Sequence, residues 1–149
     1  MYFDDFKPAD SFTTGTRTVT ESEIIDFAKQ WDRQYFHLDA EAAKDSIYGG
    51  LIASGFHTLL ITFDLVIDTG ICSEGSRGSP GMETLKWLRP VRPGDTLQVE
   101  FQVVEATPSR KRDDQGYILL DYTTRNQQGE AVLTFRSTWI IERKLAEES

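Results

Sequence analysis

Asp32 and His37, five residues apart, are the pair in this chain best suited to proton chemistry, and Gly55 opens the apolar stretch that follows. A carboxylate and an imidazole that face one cleft can hold a water and move protons through it. Such general acid–base work is typically worth ~10²–10⁴-fold in rate. For both side chains to face one cleft, the segment between them, with Gln34, Tyr35 and Phe36, must curl back. Its aromatics would then lower the local dielectric. The bare spacing also fits an aspartate that ends a helix and a hydrogen-bonded structural histidine. Gly55 adds a second chemical element. At the first turn of a helix the leading N–H groups have no intrahelical partner, and they sit at the positive end of the helix dipole. Those N–H groups suit an oxyanion, and glycine lets a carbonyl approach the backbone closely. The competing reading is that Gly55 only permits tight packing.

Around these residues the sequence lays out its elements. Phe12 to Val19, rich in threonine, reads as a strand. Thr20 and Glu23 form a capping-box pattern, and Ile24, Ile25, Phe27, Ala28 and Trp31 follow at helical spacing. Asp39 is an N-cap for a short helix to Lys44. Ser54 is read as the N-cap of a long helix from Gly55 to Thr69. Its apolar residues, Phe56 to Ile67, cover most of its circumference, so burial all round is expected. From Met82 the period changes to two. Strands are expected at Met82–Leu88, Thr96–Ala106, Tyr117–Arg125 and Ala131–Glu142, with Leu97, Val99, Phe101 and Val103 on one side of the second. Residues 1–10 read as a loosely held lead-in, and the charged segment from Arg143 as an exposed tail. The order predicts one α+β domain over residues 1–149, with an antiparallel sheet wrapped around one long buried helix.

Composition narrows the function. The chain has 149 residues, enough for one core-bearing domain. Its net charge of −8 argues against broad nucleic-acid binding, which depends on neutralising phosphates. Two histidines and one cysteine leave little for a zinc site, so no metal is expected. Cys72 reads as a small packing residue. No apolar run is long enough to span a membrane, and the start of the chain lacks a signal-peptide layout. Cytoplasm is the default.

The stretch W-D-R-Q-Y-F-H-L-D-A-E-A-A, followed by G-G-L-I-A-S-G, resembles the MaoC-like acyl dehydratases, which include the (R)-specific enoyl-CoA hydratases. Further on, M-E-T-L-K-W-L-R-P-V-R-P-G-D-T-L is similar to the family's strand-turn-strand segment. The resemblance implies a hotdog fold that dimerises through its sheets. It implies catalytic roles for Asp32 and His37 and an oxyanion role for Gly55. The chain departs from the family pattern at Trp31 for glycine, Gln34 for asparagine, Tyr35 for proline and Ser54 for histidine.

On this resemblance the expected activity is hydration of a trans-2-enoyl thioester, or the reverse dehydration. Coenzyme A would enter as part of the substrate and no other cofactor is needed. The substrate-binding residues expected are Gln34, Tyr35, Ser54, Phe56, Arg89 and Arg92. The arginines are candidates for coenzyme A phosphates, since the guanidinium fork suits them, although both also fit a solvated turn. Ile47, Tyr48, Phe56 and Phe63 are candidates for an acyl tunnel. His57 fits either a structural or a ligand role. Arg110-Lys111-Arg112 fits a solvated hairpin tip. A thioesterase would share Asp32 and Gly55, and a non-catalytic acyl-binding module would explain the altered frame.

Overall fold

The computed structural model describes residues 1–144. Five strands form one antiparallel sheet: β1 (Ser11–Thr18), β2 (Gly81–Trp87), β3 (Thr96–Pro108), β4 (Gln115–Arg125) and β5 (Ala131–Glu142), in the spatial order β1-β3-β4-β5-β2. Between β1 and β2 the chain forms α1 (Glu21–Trp31), α2 (Tyr35–Leu38), α3 (Ala40–Ala43) and α4 (Gly55–Asp68). The sheet wraps α4, which is the hotdog arrangement.

Alternation builds the core. On β3 Leu97, Val99, Phe101 and Val103 are buried, as their period of two requires. They meet Ile118, Leu120 and Tyr122 of β4 and Leu133, Phe135, Trp139 and Ile141 of β5. From the opposite side come Ile61, Leu65 and Val66 of α4. Thr62 of α4 and Thr124 of β4 join their hydroxyls at 2.6 Å, both fully buried. This pair ties the helix to the sheet without leaving an unsatisfied polar group.

Each of the four strand ladders carries one register irregularity. An extra residue bends a strand and increases its twist, so the sheet curls around the helix instead of lying flat. The irregularity in β2 also redirects a side chain. Glu83 pairs with Arg136 and Lys86 with Thr134, so Thr84 and Leu85 together oppose Phe135 alone. Beyond this point every side chain of β2 changes face. Trp87 therefore pairs with the buried Leu133 and points toward α4, where strict alternation from Met82 would have turned it away. Thr84 sits at φ 52°, a left-handed conformation that is costly for a β-branched residue.

Three expectations need correction. Residues 1–10 are not a loose lead-in. Phe3 and Phe6 are buried, and residues Phe3–Asp5 form a 3-10 turn against β4. The segment is apolar enough to dock, which outweighs its acidic appearance. Second, α4 is not buried all round. Phe56, Leu60 and Phe63 are each more than half exposed on its outer face. One sheet covers only one side of a helix. Third, the expected tail falls partly outside the described residues, and Arg143 within them pairs with Asp4 at 3.0 Å and lies over the Phe3 ring.

Candidate active site

Asp32 ends α1, and Thr20 caps that helix at its start through the Glu23 N–H. The single turn of α2 then curls the chain back, and its apolar and aromatic residues Phe36 and His37 turn inward. As a result the Asp32 Oδ2 and His37 Nε2 atoms lie 3.3 Å apart. The imidazole is buried, and its Nδ1 lies 2.7 Å from the carbonyl oxygen of Ile52. A carbonyl only accepts, so Nδ1 carries the proton there and Nε2 is the nitrogen left for chemistry.

The carboxylate is held from both sides. Gln34 Nε2 donates to Oδ1 at 2.8 Å and Ser54 Oγ to Oδ2 at 2.7 Å. Burial alone would push the Asp32 carboxyl up. The hydrogen bonds from Gln34 and Ser54 and the charge of His37 outweigh it and hold the group below the ordinary carboxylate range. Gln34, which replaces the family's asparagine, thus reaches the carboxylate with its longer side-chain amide.

Ser54 is not the side-chain cap expected of it. It occupies the N-cap position, but its hydroxyl makes no capping bond and goes to Asp32. Its carbonyl accepts the Thr58 N–H. The first-turn N–H groups of α4, beginning at Gly55, therefore receive nothing from their own cap.

A cleft of about 460 Å³ brings these groups together. Asp32, Gln34, Phe36 and His37 line one side, Gly55, Phe56 and Thr58 another, and Trp87 to Val91 the third. Phe36, Tyr48 and Trp87 supply aromatic wall, with Phe36 and Tyr48 rings 5.2 Å apart. The Trp87 indole donates to the Gly55 carbonyl at 2.9 Å. A Cβ on Gly55 would lie 2.5–2.6 Å from that ring, so the packing reading of this glycine holds whatever else it does.

Other expected binding residues fall elsewhere. Tyr35 is half exposed and does not line the cleft, and Ile47 is almost fully exposed. Ser54 is fully buried behind Asp32. Arg89 reaches the rim but pairs with Glu130 at 3.0 Å. Arg92 lies outside the cleft, and its guanidinium donates to the Tyr48 carbonyl at 2.6 Å. It fastens the loop that carries the aromatic wall.

A second, strongly apolar cleft of about 400 Å³ begins one turn further along α4. Leu59, Leu60, Phe63, Met82 and Trp139 are among its walls. Phe63 and Trp139 stack there with centroids 6.1 Å apart. His57 joins neither cleft. It is buried and stacked on Phe27 at 4.6 Å, and its Nδ1 has no partner among the described residues. Cys72 is fully buried, and burial pushes its thiol up to about 12, which removes it as a nucleophile.

The sequence held one unused signal for the third wall. Met82, Leu85 and Trp87 are spaced three and then two apart, which breaks a period of two and marks a bulge.

Known proteins share this fold. Residues 5–121 match the MaoC-like domain. Protein MaoC of Klebsiella aerogenes is 36% identical over 112 residues, covering 74% of this chain. This chain spans about a third (33%) of that protein's length. The crystal structure of the MaoC-like dehydratase from Rhodospirillum rubrum superposes with a TM-score of 0.91 at 38% identity, covering 98% of this chain and 99% of that one. The R-hydratase PhaJ1 from Pseudomonas aeruginosa gives 0.71 at 25% identity, covering 99% and 93%. The family match covers most of the chain and agrees with the fold: the chain belongs to the MaoC-like dehydratase family.

Proposed function

We propose that this protein hydrates a trans-2-enoyl thioester to the (R)-3-hydroxyacyl thioester, or runs the reverse dehydration. The observation that carries the reading is the Asp32 carboxylate 3.3 Å from His37 Nε2, in a cleft whose facing wall is the start of α4. A water held by this pair gives up a proton as its oxygen bonds to C3. The C2–C3 π pair moves to C2 and the thioester oxygen takes up the enolate charge. The Gly55 N–H stabilises that charge, which is greatest in the transition state, so the donor acts where it lowers the barrier most. The enolate then takes a proton at C2 from the pair. One water is consumed and no proton is gained or lost.

Coenzyme A is the proposed carrier, with its phosphates at the rim beside Arg89. The acyl tail runs into the apolar cleft beside Leu59 and Phe63. A second copy of the chain covers the outer face of α4. The test is a series of trans-2-enoyl-CoA esters of increasing length. Loss of enoyl absorbance without release of thiol is expected for at least one. Release of free thiol would make the protein a thioesterase, and binding without turnover at any length would make it an acyl-binding module.

A further inference from the structure

Gly55 is held by a residue far from it in sequence. Trp87 lies on β2, the last strand at one edge of the sheet, and among the described residues β5 is the sole strand beside it. The bulge at Thr84–Leu85 turns Trp87 onto α4. There the indole does two things at once. Its Nε1–H donates to the Gly55 carbonyl at 2.9 Å, and its ring fills the space above the Gly55 Cα. Phe56 packs edge-on against the same ring at 5.8 Å. A glycine at the first position of a helix is free to rock, because its N–H is unpaired and it has no side chain to brace it. Ser54, the residue that would ordinarily brace this turn, has given its hydroxyl to Asp32.

We propose that Trp87 is a positioning residue for the Gly55 oxyanion donor, fixing the first peptides of α4 at one setting relative to Asp32 and His37. This rests on the hydration reading for its chemical consequence, but the hold on Gly55 is a property of the fold alone. An indole at this position replaces the missing cap with a brace that leaves the first-turn N–H groups free. A side-chain cap would instead have occupied one of those N–H groups.

Trp87→Phe separates the two contributions, since it keeps an aromatic ring and removes the donor. Amide exchange at Thr58, whose N–H closes the first turn of α4 onto the Ser54 carbonyl, followed by NMR, reads the hold on the helix start. Turnover of the accepted enoyl-CoA reads its consequence. The expected result is faster exchange confined to the first turn of α4. It should come with a kcat lowered about three- to tenfold at nearly unchanged KM, the scale of one hydrogen bond. Where Trp87→Phe folds like the wild type and changes neither exchange nor kcat, the proposal is wrong. Faster exchange with an unchanged kcat also overturns it. If the wild-type protein hydrates no enoyl thioester, the Asp32–His37 reading fails, and unchanged exchange at Thr58 in Trp87→Phe would still refute the role of Trp87 separately.

Discussion

Asp32 is the most heavily supported polar side chain in the cleft, with Gln34, Ser54 and His37 all converging on it. If Asp32 and His37 act as a unit on one water, their effects cannot add. Asp32→Asn, His37→Ala and the double variant should each lower kcat by about the same factor, on the order of 10²–10⁴. A steady-state comparison of the three checks this, and a double variant much worse than either single one would separate their roles. The two arginines should also part company. Arg89→Ala is expected to raise KM for the CoA ester with kcat nearly unchanged, since a remote phosphate contact is made in ground and transition states alike. Arg92→Ala should leave KM alone and cost about 1 kcal/mol of stability, the scale of its exposed bond to the Tyr48 carbonyl. Kinetics and urea melts on both variants decide. His57 gives the pH prediction. Burial depresses its basicity, Glu23 pushes it back up, and Arg17 adds to the depression, with the net shift below 6.5. The unfolded chain then binds a proton that the folded protein refuses, so stability should fall as pH drops from about 6.5 toward the lower folded value and level off beneath it. His57→Phe, which keeps a ring for Phe27 to stack on, should flatten that slope between pH 8 and 5 in thermal melts.

At the scale of elements, the local signals in the sequence were sufficient for most of the framework. The capping box placed the start of α1 and period two placed β3, because both depend on neighbours in the chain. Asp39 capped α3 as read, accepting the N–H groups of Glu41 and Ala42. The single turn of α2 was not legible, since four residues are too few for a periodic pattern. The site shows the same division. Asp32, His37 and Gly55 sit close together in a motif and share the cleft. Trp87 comes to it only through strand pairing, and Tyr35 and Arg92 were placed by proximity in sequence that the fold does not preserve. The bulge that positions Trp87 leaves Thr84 strained. Asparagine tolerates this conformation better than a β-branched residue does. Thr84→Asn is expected to stabilise the protein by about 1 kcal/mol, or roughly 2–4 °C in Tm. Calorimetry checks it, and a lower Tm would mean the threonine is held by more than its bond to the Glu83 carbonyl.

For the molecule as a whole, the exposed row Phe56, Leu60 and Phe63 beside the edge strand β2 is apolar surface that a second copy would cover. Burying such a row is worth about 25 cal/mol for each Å² removed from water, while a charge in its middle would oppose association. Leu60→Glu should therefore convert a dimer into a monomer without unfolding it. Sizing with light scattering at micromolar concentration is the measurement, and a wild-type monomer would remove the dimer from the proposal.

The three tryptophans of this chain stand at three depths, and this makes the protein its own optical probe. Trp31 is 68% exposed, Trp87 47% and Trp139 6%. Emission from the first should lie furthest to the red and yield first to a soluble quencher such as iodide. Emission from the last, behind the Phe63 ring, should be blue and protected. Trp87 is the one of the three on the wall of the Asp32–His37 cleft. A thioester entering that cleft should shield the middle component from iodide and leave the red one as it was, so occupancy could be followed by light with no label attached.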